Sequence, residues 1–159
     1  MFLMDIPGDP SLLAALGKVA IRHGQLDYVL RMTVKSIREL PISEALDATA
    51  RQGSRELRER VRKLAKQKLG EGEPLTRLDA LLERSRRATD KRNELLHRLW
   101  AHQLDGEPVI RDDDHNWLPI PSVADLEHWA DELATLATAL NEARLEGFLK
   151  AALDRARGS

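Results

Sequence analysis

The apolar residues of the chain fall into four long stretches with helical spacing. In the first, Leu12, Leu16, Val19, His23, Leu26, Leu30, Val34 and Ile37 recur at steps of three and four, which sets them on one stripe of a helix. This helix is predicted from about Ser11 to Glu39, with Pro10 before it and Pro41 beyond it. A second helix is predicted from Ser43, a candidate cap, to about Leu69, with a break possible at Gly53 and a stop at Gly70-Glu71-Gly72. Its stripe of Leu57, Val61 and Leu64 is narrow, so much of it should face water. The third is predicted from Pro74 to about Gln103, on Leu75, Leu78, Leu82, Ser85, Thr89, Arg92, Leu96 and Leu99. The fourth is predicted from a Ser122 cap to about Arg155, on Leu126, Trp129, Leu133, Leu136, Leu140 and Ala143.

Residues 104–121 differ in texture. Asp105-Gly106 and the run Asp112-Asp113-Asp114-His115-Asn116 are turn signals between short β-prone pieces, and predict a hairpin or ordered-loop insertion. Residues 1–10 read as a short arm, lacking the basic end and long apolar centre of a signal peptide. Four stripes joined by mostly short connections are most simply buried in an all-α, antiparallel bundle of four to five helices. One domain over residues 1–159 is the expectation. The heptad-like spacing also suits a coiled-coil-like dimer seam.

Composition narrows this picture. Aromatic residues are 4% of the chain, so the core must come mainly from Leu, Ala, Val and Ile. The absence of cysteine excludes disulfides, thiolate metal sites and cysteine nucleophiles, and fits a cytoplasmic setting. No apolar run approaches the roughly 18 residues of a membrane span. The net charge is -1, but the charges are segregated. Residues 51–68 are rich in Arg and Lys, a second basic group lies at Arg84, Arg86, Arg87, Lys91 and Arg92, and residues 105–142 are acidic. Such a chain can turn a basic surface toward a polyanion despite its near-neutral total; the alternative is a solvated helix face neutralised by its own acids.

The candidate chemistry lies on the third helix, in Lys91-Arg92-Asn93-Glu94-Leu95-Leu96-His97-Arg98-Leu99-Trp100. Arg92 falls on the apolar stripe, where a guanidinium must be paired or open onto a polar cleft. Asn93 and His97 are an i,i+4 pair, which lets the amide orient the imidazole. Arg92 and His97 lie about 140° apart around the axis, so one phosphate would need help from a symmetric partner. Histidine can move protons at a ribose hydroxyl, and arginine can hold the phosphate and its developing charge. Spacing alone also admits a structural reading, in which Arg92 bridges to Asp27 or Glu44.

This segment resembles the signature of HEPN-domain proteins, in the Arg-Asn-x-x-x-His-x-x-Trp form of some bacterial branches, and His23-Gly24-Gln25-Leu26-Asp27-Tyr28-Val29-Leu30 is similar in character to their first helix. The resemblance implies a helical bundle, a homodimer with the motif at its interface, and metal-independent endoribonuclease activity, often in toxin–antitoxin or phage-defence settings. Arg92 and His97 would then be catalytic with Asn93 in support. Arg55, Arg58, Arg62, Lys66, Lys91 and Arg98 would contact RNA, and an antitoxin protein would be a further partner. Two positions depart from the pattern: Leu99 stands where many toxin members carry a modifiable Tyr, and Arg98 stands where the Trp-bearing branch has a small residue. The alternative is a non-catalytic helical module that binds a protein, nucleotide or RNA.

The other candidates are weaker. His23, on the first stripe, reads as a core histidine that could instead face the cleft. His115 among its acids reads as a solvated turn rather than a metal site. His102 follows His97 by five and points elsewhere on the helix, and His128 is expected to be exposed beside Trp129. Trp129 fits the core and Trp117 an anchor of the hairpin on the bundle; Trp100 is the one tryptophan that could wall the site. No phosphate-binding loop or cofactor pattern is present, so neither a metal nor a cofactor is expected.

Overall fold

The computed structural model describes residues 1–159, apart from the side chain of Gln103. Helix α1 (Pro10–Arg38) starts where Asp9 accepts a hydrogen bond from the Ser11 amide at 2.9 Å and stops at Glu39, which takes a left-handed φ of 58°. Between these ends Leu12, Val19, Leu26, Leu30, Val34 and Ile37 are buried, as their spacing predicts, while Ala15 is buried and the expected Leu16 only partly so.

The second predicted helix is two. Helix α2 (Ile42–Thr49) starts after Pro41 without the expected Ser43 cap, and α3 (Ser54–Leu69) follows a break at residues 50–53. The break is tied down from both sides. Arg31 of α1 donates to the Thr49 and Gln52 carbonyls, and Arg60 of α3 donates to the Ala48 carbonyl at 2.7 Å. Gly70, at φ 71°, ends α3.

Helix α4 (Glu73–His97) ends well short of Gln103. Its buried stripe runs through Leu75, Leu78, Leu82, Ser85 and Thr89 to Leu95, leaving the expected Leu96 and Leu99 exposed. The helix stops because the chain turns into a strand at Trp100, whose indole N–H donates to the Leu95 carbonyl at 2.6 Å and satisfies one of the last turn's free acceptors. Trp100 is therefore an anchor of the helix end rather than a wall of the site.

Strands β1 (Phe2–Leu3), β2 (Trp100–Gln103), β3 (Pro108–Arg111) and β4 (Trp117–Pro119) form one antiparallel sheet in that order. The expectation of a hairpin within residues 104–121 captured only part of it. The arm contributes an edge strand, pairing Phe2 with Gln103 and Leu3 with His102. Trp117 stacks on Phe2 with ring centroids 4.2 Å apart, so it clamps the arm rather than fixing the hairpin to the bundle. The acidic loop is a tight turn: Asp112 accepts from the Asn116 amide at 2.7 Å and His115 takes a φ of 69°.

The last predicted helix also divides, into α5 (Val123–Leu145) and α6 (Phe148–Arg157). Ser122 and Asp125 form a capping box at the start of α5. Its seam is as predicted except that Ala130 is buried where Trp129 was expected; Trp129 is half-buried beneath the Lys91 ammonium, 4.5 Å from its centroid. One continuous core joins buried side chains of α1, α3, α4, α5 and α6, with α1 packed most extensively on α5. The chain is thus a mostly helical bundle with a small antiparallel sheet, which an all-α description omits. Among the described residues no helix is long and apolar enough to cross a membrane.

Candidate functional site

Two polar residues interrupt the apolar stripes at one level of the bundle: His23 in α1 and Thr89 in α4. Where these helices meet the start of α3, a cleft of ≈ 1120 Å³ opens. His23, Asp27, Ser54, Arg58, Thr89, Arg92 and Asn93 all line it. The polar residues sit where the stripes would otherwise meet as leucine, and the helices part around them.

Their hydrogen bonds form a chain. Arg58 donates to the Thr89 hydroxyl at 3.2 Å, and that hydroxyl lies 3.1 Å from His23 Nε2. Ser54 donates to Asp27 Oδ2 at 2.9 Å, and the same carboxylate oxygen is 3.9 Å from His23 Nδ1. His23 Nε2 also lies 3.3 Å from the Ser54 hydroxyl, so this nitrogen is the ring's hydrogen-bonding atom, while the 3.9 Å to Asp27 is an electrostatic contact rather than a hydrogen bond. Burial pushes the His23 imidazole below its ordinary value; Asp27 opposes this, while Arg92 and Arg58 add to it. His23 is therefore a neutral ring at neutral pH, satisfied as a core histidine and facing the cleft as well.

Arg92 is half-buried on the same wall. Its guanidinium donates to Asn93 Oδ1 at 2.9 Å, and its Nε is buried without a hydrogen-bond partner. Among the described residues it makes no ion pair with a carboxylate, neither to Asp27 nor to Glu44. Asn93 was expected to orient His97. Its oxygen instead accepts from Arg92, because the long arginine side chain folds back onto its neighbour.

His97 is exposed and opens onto a different depression, of ≈ 730 Å³, shared with Asn93, Arg98, Arg111 and the 112–115 turn. Within the chain Arg92 and His97 thus flank Asn93 without converging, as their angular separation on the helix requires.

The predicted RNA contacts are mostly engaged by local acids. Arg55 pairs with Glu59, Arg62 with Asp79, Lys66 with Glu71, Lys91 with Glu94, and Arg98 with Asp113 and Glu94. The neutralising acids come from nearby segments more than from residues 105–142. Such exposed pairs are screened by water and contribute little, so an incoming phosphate can exchange for them. Arg58 differs, being 9% exposed and without an ion pair among the described residues. Arg86 holds Glu83, with help from Arg87, so firmly that the Glu83 carboxyl is held at about 2.

The cluster of His23, Asp27, Ser54 and Thr89 was not assembled from the sequence. The signal for it was the pair of polar interruptions, His23 and Thr89, in stripes that must face each other. Among the described residues no group of three or more His, Cys, Asp or Glu is placed to hold a metal ion. The chain matches no protein-family model and no curated protein in sequence, and no solved structure in fold.

Proposed function

We propose that the chain is a HEPN-like, metal-independent endoribonuclease acting as a homodimer, in the setting of a toxin–antitoxin or phage-defence system. The observation that carries this reading is Arg92: a half-buried guanidinium on an open cleft, with no carboxylate ion pair among the described residues, inside the Arg-Asn-x-x-x-His segment. A structural arginine at that depth would be expected to hold a salt bridge.

In this reaction His97 takes the proton from the ribose 2′-hydroxyl as its oxygen bonds to phosphorus. The bond to the 5′ oxygen breaks, and that oxygen leaves with a proton taken from solvent water. The products are a 2′,3′-cyclic phosphate and a 5′-hydroxyl. Arg92 holds the phosphate and the added charge of the pentacoordinate state. Because Arg92 and His97 open onto separate depressions, each site needs Arg92 from one protomer and His97 from the other. Leu96 and Leu99, exposed beside His97, supply apolar surface for that contact.

The same separation favours the alternative of a non-catalytic module that binds RNA, nucleotide or protein through the cleft. Incubation with mixed structured RNA in a chelator decides between them. Wild type is expected to leave cyclic-phosphate ends, and His97→Ala or Arg92→Ala to lose about 10²–10⁴-fold in rate. Equal cleavage by the variants, or none by wild type, removes the enzyme.

A further inference from the structure

The cleft between α1, α3 and α4 is furnished beyond what Arg92 alone requires. Four of the acids in its wall are engaged by cations: Glu59 by Arg55, Asp79 by Arg62, and Glu83 and Asp90 by Arg86. Arg58 and Arg92 have no such counterion among the described residues, and the remaining acid, Asp27, is held by Ser54. The lining as a whole is balanced, five arginines against five acids, so what marks the floor is not net charge but two guanidiniums that no carboxylate pairs with among the described residues. The start of α3 adds donors beside them: Gly53 and Ser54 line the cleft, and no side chain caps the free amides there. Arg58 is not a loose surface arginine. It is 9% exposed, its guanidinium is fixed by Thr89, and Thr89 is fixed in turn by His23.

We propose that this cleft is a phosphate-binding site complete within one protomer, in which Arg58 and Arg92 clamp the phosphate group of a nucleotide or RNA strand and the His23–Thr89 pair positions Arg58. A lone carboxylate offers two oxygens and would leave one guanidinium unanswered, whereas a phosphate offers enough acceptors for two forks. The cleft, at ≈ 1120 Å³, also has room for the attached nucleoside. The inference rests on the proposed reading of Arg92 as a phosphate ligand. It adds Arg58, and it needs neither cleavage nor a second copy of the chain.

The test is an NMR titration of the histidine rings with inorganic phosphate, at ionic strength held constant with chloride. His23 resonances should shift saturably and its ring should become more basic, because a bound anion offsets the two guanidiniums; His97 should not respond. Arg92→Gln and Arg58→Lys should each weaken binding about tenfold or more. Should Arg58→Lys fail to fold, Arg92→Gln decides, its side chain being half-buried and free of ion pairs. A 5′-mononucleotide and a dinucleoside monophosphate separate a terminal phosphate from a strand phosphodiester as the preferred source. No response at His23, or an equal response in Arg92→Gln, overturns the proposal. A response at His23 without cleavage leaves this site standing and removes the nuclease; cleavage without that response does the reverse. His97→Ala, which should abolish cleavage, should keep the His23 response.

Discussion

His23 is a buried imidazole set beside two guanidiniums, and its titration is tied to folding. It faces Asp27 on its own helix, Ser54 and Arg58 on α3, and Thr89 and Arg92 on α4. Its folded value lies below the ordinary 6.5, so at mildly acidic pH the unfolded chain binds more protons than the folded one. Stability from this group is complete above that ordinary value and is lost as pH falls through the window beneath it. The urea midpoint should therefore drop as pH falls below about 6.5, and His23→Gln should flatten that slope. An identical slope in the variant would place the sensitivity elsewhere. At this scale the sequence was only partly legible. The motif marked Arg92, Asn93 and His97, but which atom each side chain meets depends on rotamers that spacing does not encode, and Asn93 turned to Arg92 instead of His97.

Among the elements, the divided last helix is the clearest case of local backbone control. Leu126 to Ala143 keeps one seam, yet the chain cannot pass straight from α5 into α6. At the junction the Gly147 amide donates to the Glu142 carbonyl at 2.8 Å. A Cβ at Gly147 would sit 3.0 Å from Ala143 Cα and 3.1 Å from the Glu142 oxygen. Both are backbone atoms with little freedom to yield. Gly147→Ala should cost about 1–3 kcal/mol, read as a lower denaturant midpoint at unchanged m-value; an unchanged midpoint would show that the junction relaxes freely. The helices were legible because a stripe of ten or more residues leaves a period. The sheet was not, since its strands are two to four residues long and β1 finds β2 only through tertiary pairing.

For the whole molecule, the separation of Arg92 from His97 turns oligomeric state into a matter of chemistry. A cross-protomer site implies that Arg92→Ala and His97→Ala, each inactive alone, restore one another when co-expressed. Random pairing makes half the dimers mixed, each with one intact site of two, so about a quarter of wild-type cleavage is expected. No recovery would place each reaction centre within a single protomer and would draw attention back to the α1, α3 and α4 cleft.

The pairing of Phe2–Leu3 with His102–Gln103 also bears on how the chain emerges from the ribosome. At about 5–20 residues per second, β1 must wait roughly 5–20 s for its neighbour strand to be made. Helix α1, whose main packing partner is α5 (Val123–Leu145), waits longer still. Its stripe from Leu12 to Ile37 therefore lacks that partner until α5 has been synthesised, and the nascent chain is in that interval a client for whatever shields apolar helices.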